Sequence, residues 1–135
     1  MPLFEENIET ITFKRTHNGW VADEGKKASY PDHWEQDYHV MVLALRDYME
    51  KTGFKKAVLG MSGGIDSALV AAIACDALGS ENVRLVMLPS KYTSKNSLDD
   101  ATKCAKLLGA KIETIPISES FNSVLETIED RKSVV

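Results

Sequence analysis

Eight residues in the middle of the chain, Gly60-Met61-Ser62-Gly63-Gly64-Ile65-Asp66-Ser67, limit what it can fold into more than any other stretch. Before them lies a short apolar run at 56–61, with Ala57, Val58 and Leu59 at its centre. After them, residues 67–78 are apolar nearly all round and end at Gly79. The first reads as a buried strand and the second as a buried helix. Gly63 and Gly64 carry no Cβ, so the backbone can turn sharply and approach a ligand closely. The loop then enters a helix N-terminus, where unpaired N–H groups and about half a positive charge make a site for phosphate. Ser62 and Ser67 add hydroxyl donors. Asp66 places a carboxylate where an anion is expected, and Mg²⁺ bridging it to phosphate oxygens resolves that conflict. A tight strand-to-helix turn accounts for two or three of these residues through geometry and capping. It does not account for two serines, two glycines and an aspartate in this order. No Gly-Lys-Ser/Thr follows, so this is not a Walker A loop, and it is not the Gly-x-Gly-x-x-Gly fingerprint either.

The surroundings alternate regularly. Asp32 is placed to cap a helix over 33–51, with Glu35 in the capping-box position. Trp34, Tyr38, Met41, Val42, Leu45 and Met49 recur on one face of it, and Gly53 ends it. A second apolar strand over 83–88 is closed by Pro89. A polar loop at 90–96 leads to a helix over 97–108, opened by Ser97 with Asp100 and stopped by Gly109. A third strand at 111–117 alternates more and belongs nearer an edge. A last helix runs from Ser118 to about 130, and 131–135 reads as a frayed end. This order predicts an α/β fold, a Rossmann-like parallel sheet with helices on both faces. Right-handed crossovers bring the Ser62 loop and the 90–96 loop to one sheet edge, where such folds bind ligands.

The first thirty residues differ. Residues 7–21 read as one or two short strands with a turn at Asn18-Gly19, and 22–31 as a polar linker. At 135 residues the chain is long enough for one domain and short for two. A net charge of −4 gives no footprint for nucleic acid or a membrane surface. No apolar run approaches the roughly 20 residues of a span. The acidic N-terminus lacks the pattern of a signal peptide, which makes the cytoplasm the expected compartment. Cys75 and Cys104, without a Cys-x-x-Cys pair, read as small core residues, and His17, His33 and His39 show no zinc spacing.

Ser-Gly-Gly-x-Asp-Ser after an apolar strand resembles the N-type ATP pyrophosphatases, which adenylate a substrate and release pyrophosphate. Within that group the chain is most similar to the NAD synthetases, especially the synthetase domain of the glutamine-dependent form. The resemblance runs from Leu43 to about Ile117 and is made specific by Met87-Leu88-Pro89-Ser90-Lys91-Tyr92-Thr93-Ser94 and Ser97-Leu98-Asp99-Asp100-Ala101.

That resemblance implies that Gly60, Met61, Ser62, Gly63, Gly64, Ile65, Asp66 and Ser67 bind ATP, with Asp66 as a magnesium ligand. Met87, Leu88 and Pro89 would line the adenosine pocket, and residues 90–94 would border the nucleotide or form a solvated loop. Lys91 reads as an exposed lysine or as one that reaches a phosphate. The implied reaction is amidation of deamido-NAD: ATP adenylates its carboxylate, and ammonia, drawn from glutamine, displaces AMP. The resemblance also implies a homodimer through the helix at 33–51, which would serve equally as a cover for its own sheet. Family synthetase domains continue past the third strand and supply a second acidic ligand and much of the deamido-NAD site. The chain therefore reads as a fragment: 1–31 as the tail of an upstream domain with a linker, and 32–135 as the N-terminal part of the synthetase domain. The alternatives are another ATP pyrophosphatase, of the GMP synthetase or tRNA-thiolation type, and a non-catalytic ATP-binding or dimerisation module. Thiolation should bring a reactive cysteine near the loop, and none is present.

Overall fold

Two strand–helix–strand crossovers organise the chain, and the computed structural model describes them within residues 3–23 and 28–132. An N-terminal hairpin comes first, β1 (Phe13–Thr16) and β2 (Gly19–Ala22), paired antiparallel with Phe13 opposite Ala22. Helix α1 spans His33–Thr52. Then follow β3 (Ala57–Gly60), α2 (Ile65–Leu78), a 3₁₀ turn (Ser80–Asn82), β4 (Val83–Met87), α3 (Lys95–Leu108), β5 (Lys111–Thr114) and α4 (Ser118–Lys132). The three later strands form a parallel sheet in the order β3-β4-β5. The most buried strand is thus central, and the more alternating β5 is at an edge, as expected.

Side-chain alternation sets the core. Val83, Leu85 and Met87 of β4 point to one face and are buried. There they meet Ala71, Ala74 and Cys75 of α2 and Ala101 and Ala105 of α3. Small residues let both helices approach the sheet and each other closely. Both cysteines belong to this packing, Cys75 buried and Cys104 half-buried. Burial pushes the Cys75 thiol up, with Asp76 and Cys104 adding to the shift.

Helices flank the sheet as the α/β class requires, but unevenly. On the face away from α2 and α3, β4 and β5 carry a charged pair, Arg84 Nε to Glu113 Oε1 at 3.6 Å. Val58 shares that face and is 69% exposed, which corrects the expectation of a fully buried first strand. Helix α2 is likewise not buried all round, since Leu69 and Val70 are exposed while Ala71, Ile73, Ala74 and Cys75 are not.

Caps explain most boundaries. Asp32 accepts a hydrogen bond from Glu35 N at 3.0 Å, and Gly53 ends α1 in the left-handed region with φ 76°. The cap of α3 is Ser94, not Ser97. Ser94 Oγ accepts from Ser97 N at 3.1 Å, so the same cap-to-third-residue spacing operates three positions earlier and α3 begins at Lys95. Helix α2 also begins earlier than expected, at Ile65, with Gly64 as its cap.

The expected apolar face of α1 divides in two. Val42 and Met49 are buried, with Leu45 packed on the core and Tyr38 half-buried. Trp34 and Met41 are exposed. Tyr38 donates to Asp76 Oδ2 at 2.6 Å, and Arg46 donates to the Asp76 and Ala77 carbonyls at the C-terminal end of α2. The cation there complements the negative end of the helix. The hairpin lies exposed, while Phe4 stacks on His39 with ring centres 5.6 Å apart. Residues 24–27, within the expected linker, and 133–135, within the expected frayed end, lie outside the described residues. Among those described, no helix is long and apolar enough to cross a membrane.

Candidate functional site

The β3–α2 loop is built by hydrogen bonds that its own residues supply. The ladder continues one residue past β3, where Met61 N donates to Val86 O at 2.8 Å. The chain then turns at Gly63, with φ 82°. A Cβ on Gly63 would lie 2.2 Å from the Ser97 carbonyl oxygen, so the loop rests directly on the first turn of α3. Gly64 is extended and its carbonyl accepts from Ala68 N, which starts α2. Asp66 and Ser67 consequently lie in the first helical turn, where backbone N–H groups lack intrahelical partners.

The two serines brace the loop. Ser67 Oγ donates to Gly64 O at 2.9 Å and lies 3.0 Å from Ser62 Oγ. Ser62 Oγ accepts from Gly64 N at 3.2 Å, and Ser67 Oγ from Ser62 N at 3.3 Å. Their hydroxyls are therefore partners of the loop itself.

Beside the loop a cavity of about 360 Å³ opens at the C-terminal ends of β3 and β4. Of the residues expected to bind nucleotide, it brings together Gly60, Met61, Ser62, Met87, Leu88 and Pro89. Gly63, Gly64, Ile65, Asp66 and Ser67 do not line it but continue from its rim into α2, and the Ile65 side chain is 84% exposed. Val86, Thr93 and Leu98 complete the wall. Val86 and Leu98 were not anticipated. Their signal is positional, at the strand end and one turn after the Ser94 cap. The wall is largely apolar, with Ser62 and Thr93 as polar points, a composition suited to a flat heteroaromatic ring.

Residues 87–89 are held from the far side by the strand that follows. Ile115 N donates to Met87 O at 2.9 Å and Ile117 N to Pro89 O at 3.2 Å. The turn at 90–93 closes on itself: Thr93 N donates to Ser90 O, and Ser90 N to Thr93 Oγ1. Lys91 Nζ stands over the rings of Tyr92 and Phe121, 5.1 and 5.8 Å from their centres. It is exposed, as the first of its two readings has it, with its ammonium over these two rings.

Asp66 is exposed, and among the described residues its carboxylate has no hydrogen-bond or ion-pair partner. No group of three or more metal-ligating side chains occurs among them. A lone carboxylate in the first turn of a helix entered from a glycine–serine loop has the chemistry that would fit Mg²⁺, which takes one or two protein carboxylates and completes its shell with phosphate oxygens and water. His33 and His39 are occupied along α1, paired with Asp37 and Glu35 at 3.1 and 3.8 Å.

Known proteins are similar to this chain in sequence and in fold. A family model described as NAD synthase matches residues 37–135. Over 117 residues the chain is 52% identical to the glutamine-dependent NAD(+) synthetase of Rhodobacter capsulatus, covering 87% of this chain and 21% of that protein. Over 95 residues it is 52% identical to the Thermotoga maritima enzyme of the same description, covering 70% of this chain and 16% of that one. Among solved structures it superposes on glutamine-dependent NAD+ synthetase from Acinetobacter baumannii, in complex with adenosine diphosphate. The TM-score is 0.83 at 38% identity, over 93% of this chain and 23% of that one. NMN synthetase from Francisella tularensis follows at TM-score 0.67 and 25% identity, over 74% and 41%. The chain thus spans about a fifth of the length of the curated relatives it matches. The loop, the parallel sheet and these matches agree, and the chain belongs to the NAD synthase family.

Proposed function

We propose that this chain supplies the ATP-binding part of an enzyme that makes NAD from deamido-NAD and ammonia derived from glutamine. The observation that carries the reading is the junction of two features. The glycine–serine loop enters α2 where an apolar cavity opens between β3 and β4. Adenine would rest against Met61, Met87 and Leu98, with Leu88 and Pro89 at the ribose side. The triphosphate would extend over Gly60, Ser62, Gly63 and Gly64 toward the first-turn amides of Ile65, Asp66 and Ser67. Asp66 would hold Mg²⁺, which when bound neutralises the charge that builds on the leaving pyrophosphate.

The deamido-NAD carboxylate attacks the α-phosphorus, and the bond to pyrophosphate breaks. Ammonia then attacks the resulting acyl adenylate, AMP leaves, and an amide remains. The loop's part in this is to orient the phosphates and to offer backbone donors where charge develops. Residues 1–31 are the tail of an upstream domain with its linker, and 32–135 begin the synthetase domain. Copies associate as a homodimer in the cytoplasm through α1, where Trp34 and Met41 offer exposed apolar surface.

Calorimetric titration with ATP, with and without Mg²⁺, tests the site. Asp66→Ala is expected to weaken Mg-ATP binding about 10-fold or more and free ATP little, since one charge-assisted contact is lost. Equal losses would remove the metal role. Incubation with deamido-NAD, ammonia, ATP and Mg²⁺ tests the reaction. ATP binding without NAD formation would leave the 135-residue chain a nucleotide-binding module.

A further inference from the structure

The rim of the cavity is tied to a helix that takes no part in lining it. Thr93 reaches the cavity from the 90–93 turn. That turn is closed by short-range bonds: Thr93 N to Ser90 O at 3.0 Å, Ser90 N to Thr93 Oγ1 at 2.9 Å and Tyr92 N to Ser90 Oγ at 3.3 Å. These bonds give the turn its shape but do not anchor it to the rest of the molecule. The turn's flanks are held at Pro89, which accepts from Ile117 N, and at Ser94, the cap of α3, and the contact from within the turn is aromatic. The Tyr92 ring meets the Phe121 ring edge-on, at 5.9 Å and 77°. The Lys91 ammonium lies over both rings. Phe121 belongs to the first turn of α4, whose start is fixed through Ile117 N to Pro89 O and Phe121 N to Ile117 O. A side chain 28 positions beyond Thr93 in sequence (121 − 93) is thus in contact with the turn that carries Thr93.

We propose that Phe121 is a positioning residue for the nucleotide cavity: through Tyr92 and Lys91 it holds the 90–93 turn so that Thr93 faces the bound nucleotide. The inference rests on the ATP-binding reading for its functional consequence, while its structural part stands alone. Geometry also gives Lys91 a role. Its charge, held over two ring faces, strengthens the clasp in place of contacting phosphate.

Amide hydrogen exchange resolved by NMR on the 135-residue chain tests the clasp without any ligand. Phe121→Ala is expected to speed exchange at Tyr92 and Thr93 by about 5- to 30-fold, the scale of one aromatic pair with a cation, leaving α2 and β4 amides unchanged. Phe121→Tyr should restore protection. Tyr92→Leu lies on an exposed side chain and so leaves the core folded; it should loosen the turn equally, and the double variant should add nothing further. Unchanged exchange in Phe121→Ala, or additive effects in the double variant, would overturn the clasp. ATP titration of the same proteins separates the two readings. A parallel rise in Kd for Phe121→Ala and Tyr92→Leu supports the positioning role. An unaltered Kd with a loosened turn overturns it. If the unsubstituted chain binds no ATP, the nucleotide reading itself fails, while the exchange data still decide the clasp.

Discussion

Gly63 is where this chain tolerates least change. Its φ of 82° excludes most side chains, and an added Cβ would meet backbone, not a movable side-chain end. Gly63→Ala should therefore cost about 1–3 kcal/mol of stability and abolish ATP binding, to be read by thermal melting and titration. Gly64 differs despite its identical chemistry. Its φ is −85° and the nearest atom to a Cβ is Ser62 Oγ at 3.4 Å. Gly64→Ala should cost under about 1 kcal/mol, the scale of a helix-cap change. Sequence identified both glycines as loop-formers, but it held no means of ranking them. The difference comes from Ser97, 34 positions away (97 − 63), which the fold presses against one of them. The same limit applied to Ser62 and Ser67. Their residue types announced hydroxyl donors, and the fold adds that both brace the loop.

At the scale of elements, α2 is held at both ends. Its N-terminus is the candidate phosphate site, and its C-terminus is gripped by Tyr38 and Arg46 of α1. Burial, then the Asp76 hydrogen bond, pushes the Tyr38 phenol up from 10.0 to about 12. An acid whose pKa is higher in the folded state stabilises the fold fully below its unfolded pKa. That contribution is lost as pH rises from about 10 through about 12. Urea midpoints over that interval should fall with pH in the unsubstituted chain and fall less steeply in Tyr38→Phe. Equal slopes would detach Tyr38 from the effect. The pairing of α1 with α2 could not be read from the sequence. Tyr38 belongs to the expected apolar face and is half-buried, whereas Trp34 and Met41, expected on the same face, are left outside by the fold. Periodicity selects a stripe about 100° wide, and only packing decides which part of it is covered.

Across the whole molecule, burial is concentrated on one side of the sheet. Leu85 is fully buried between β3, β5 and the two helices, whereas Val58 on the opposite face is 69% exposed. Leu85→Ala should cost about 2–5 kcal/mol, and Val58→Ala within about 0.5 kcal/mol, measured as urea-unfolding free energies. A large cost at Val58 would overturn the one-sided core. The α/β class, the strand–helix order and the turn after β3 were all legible in the sequence, because they depend on local periods, caps and turn residues. Element starts slipped by two residues where a glycine or an earlier serine supplied the cap, as at α2 and α3. By itself, then, the sequence determined that residues 60–67 carry a glycine-rich turn from a strand into a helix. Only the tertiary structure decided what that turn leans on and which residues from β4, α3 and α4 complete its surroundings. Those partners are brought together by crossovers whose geometry no local stretch of chain encodes.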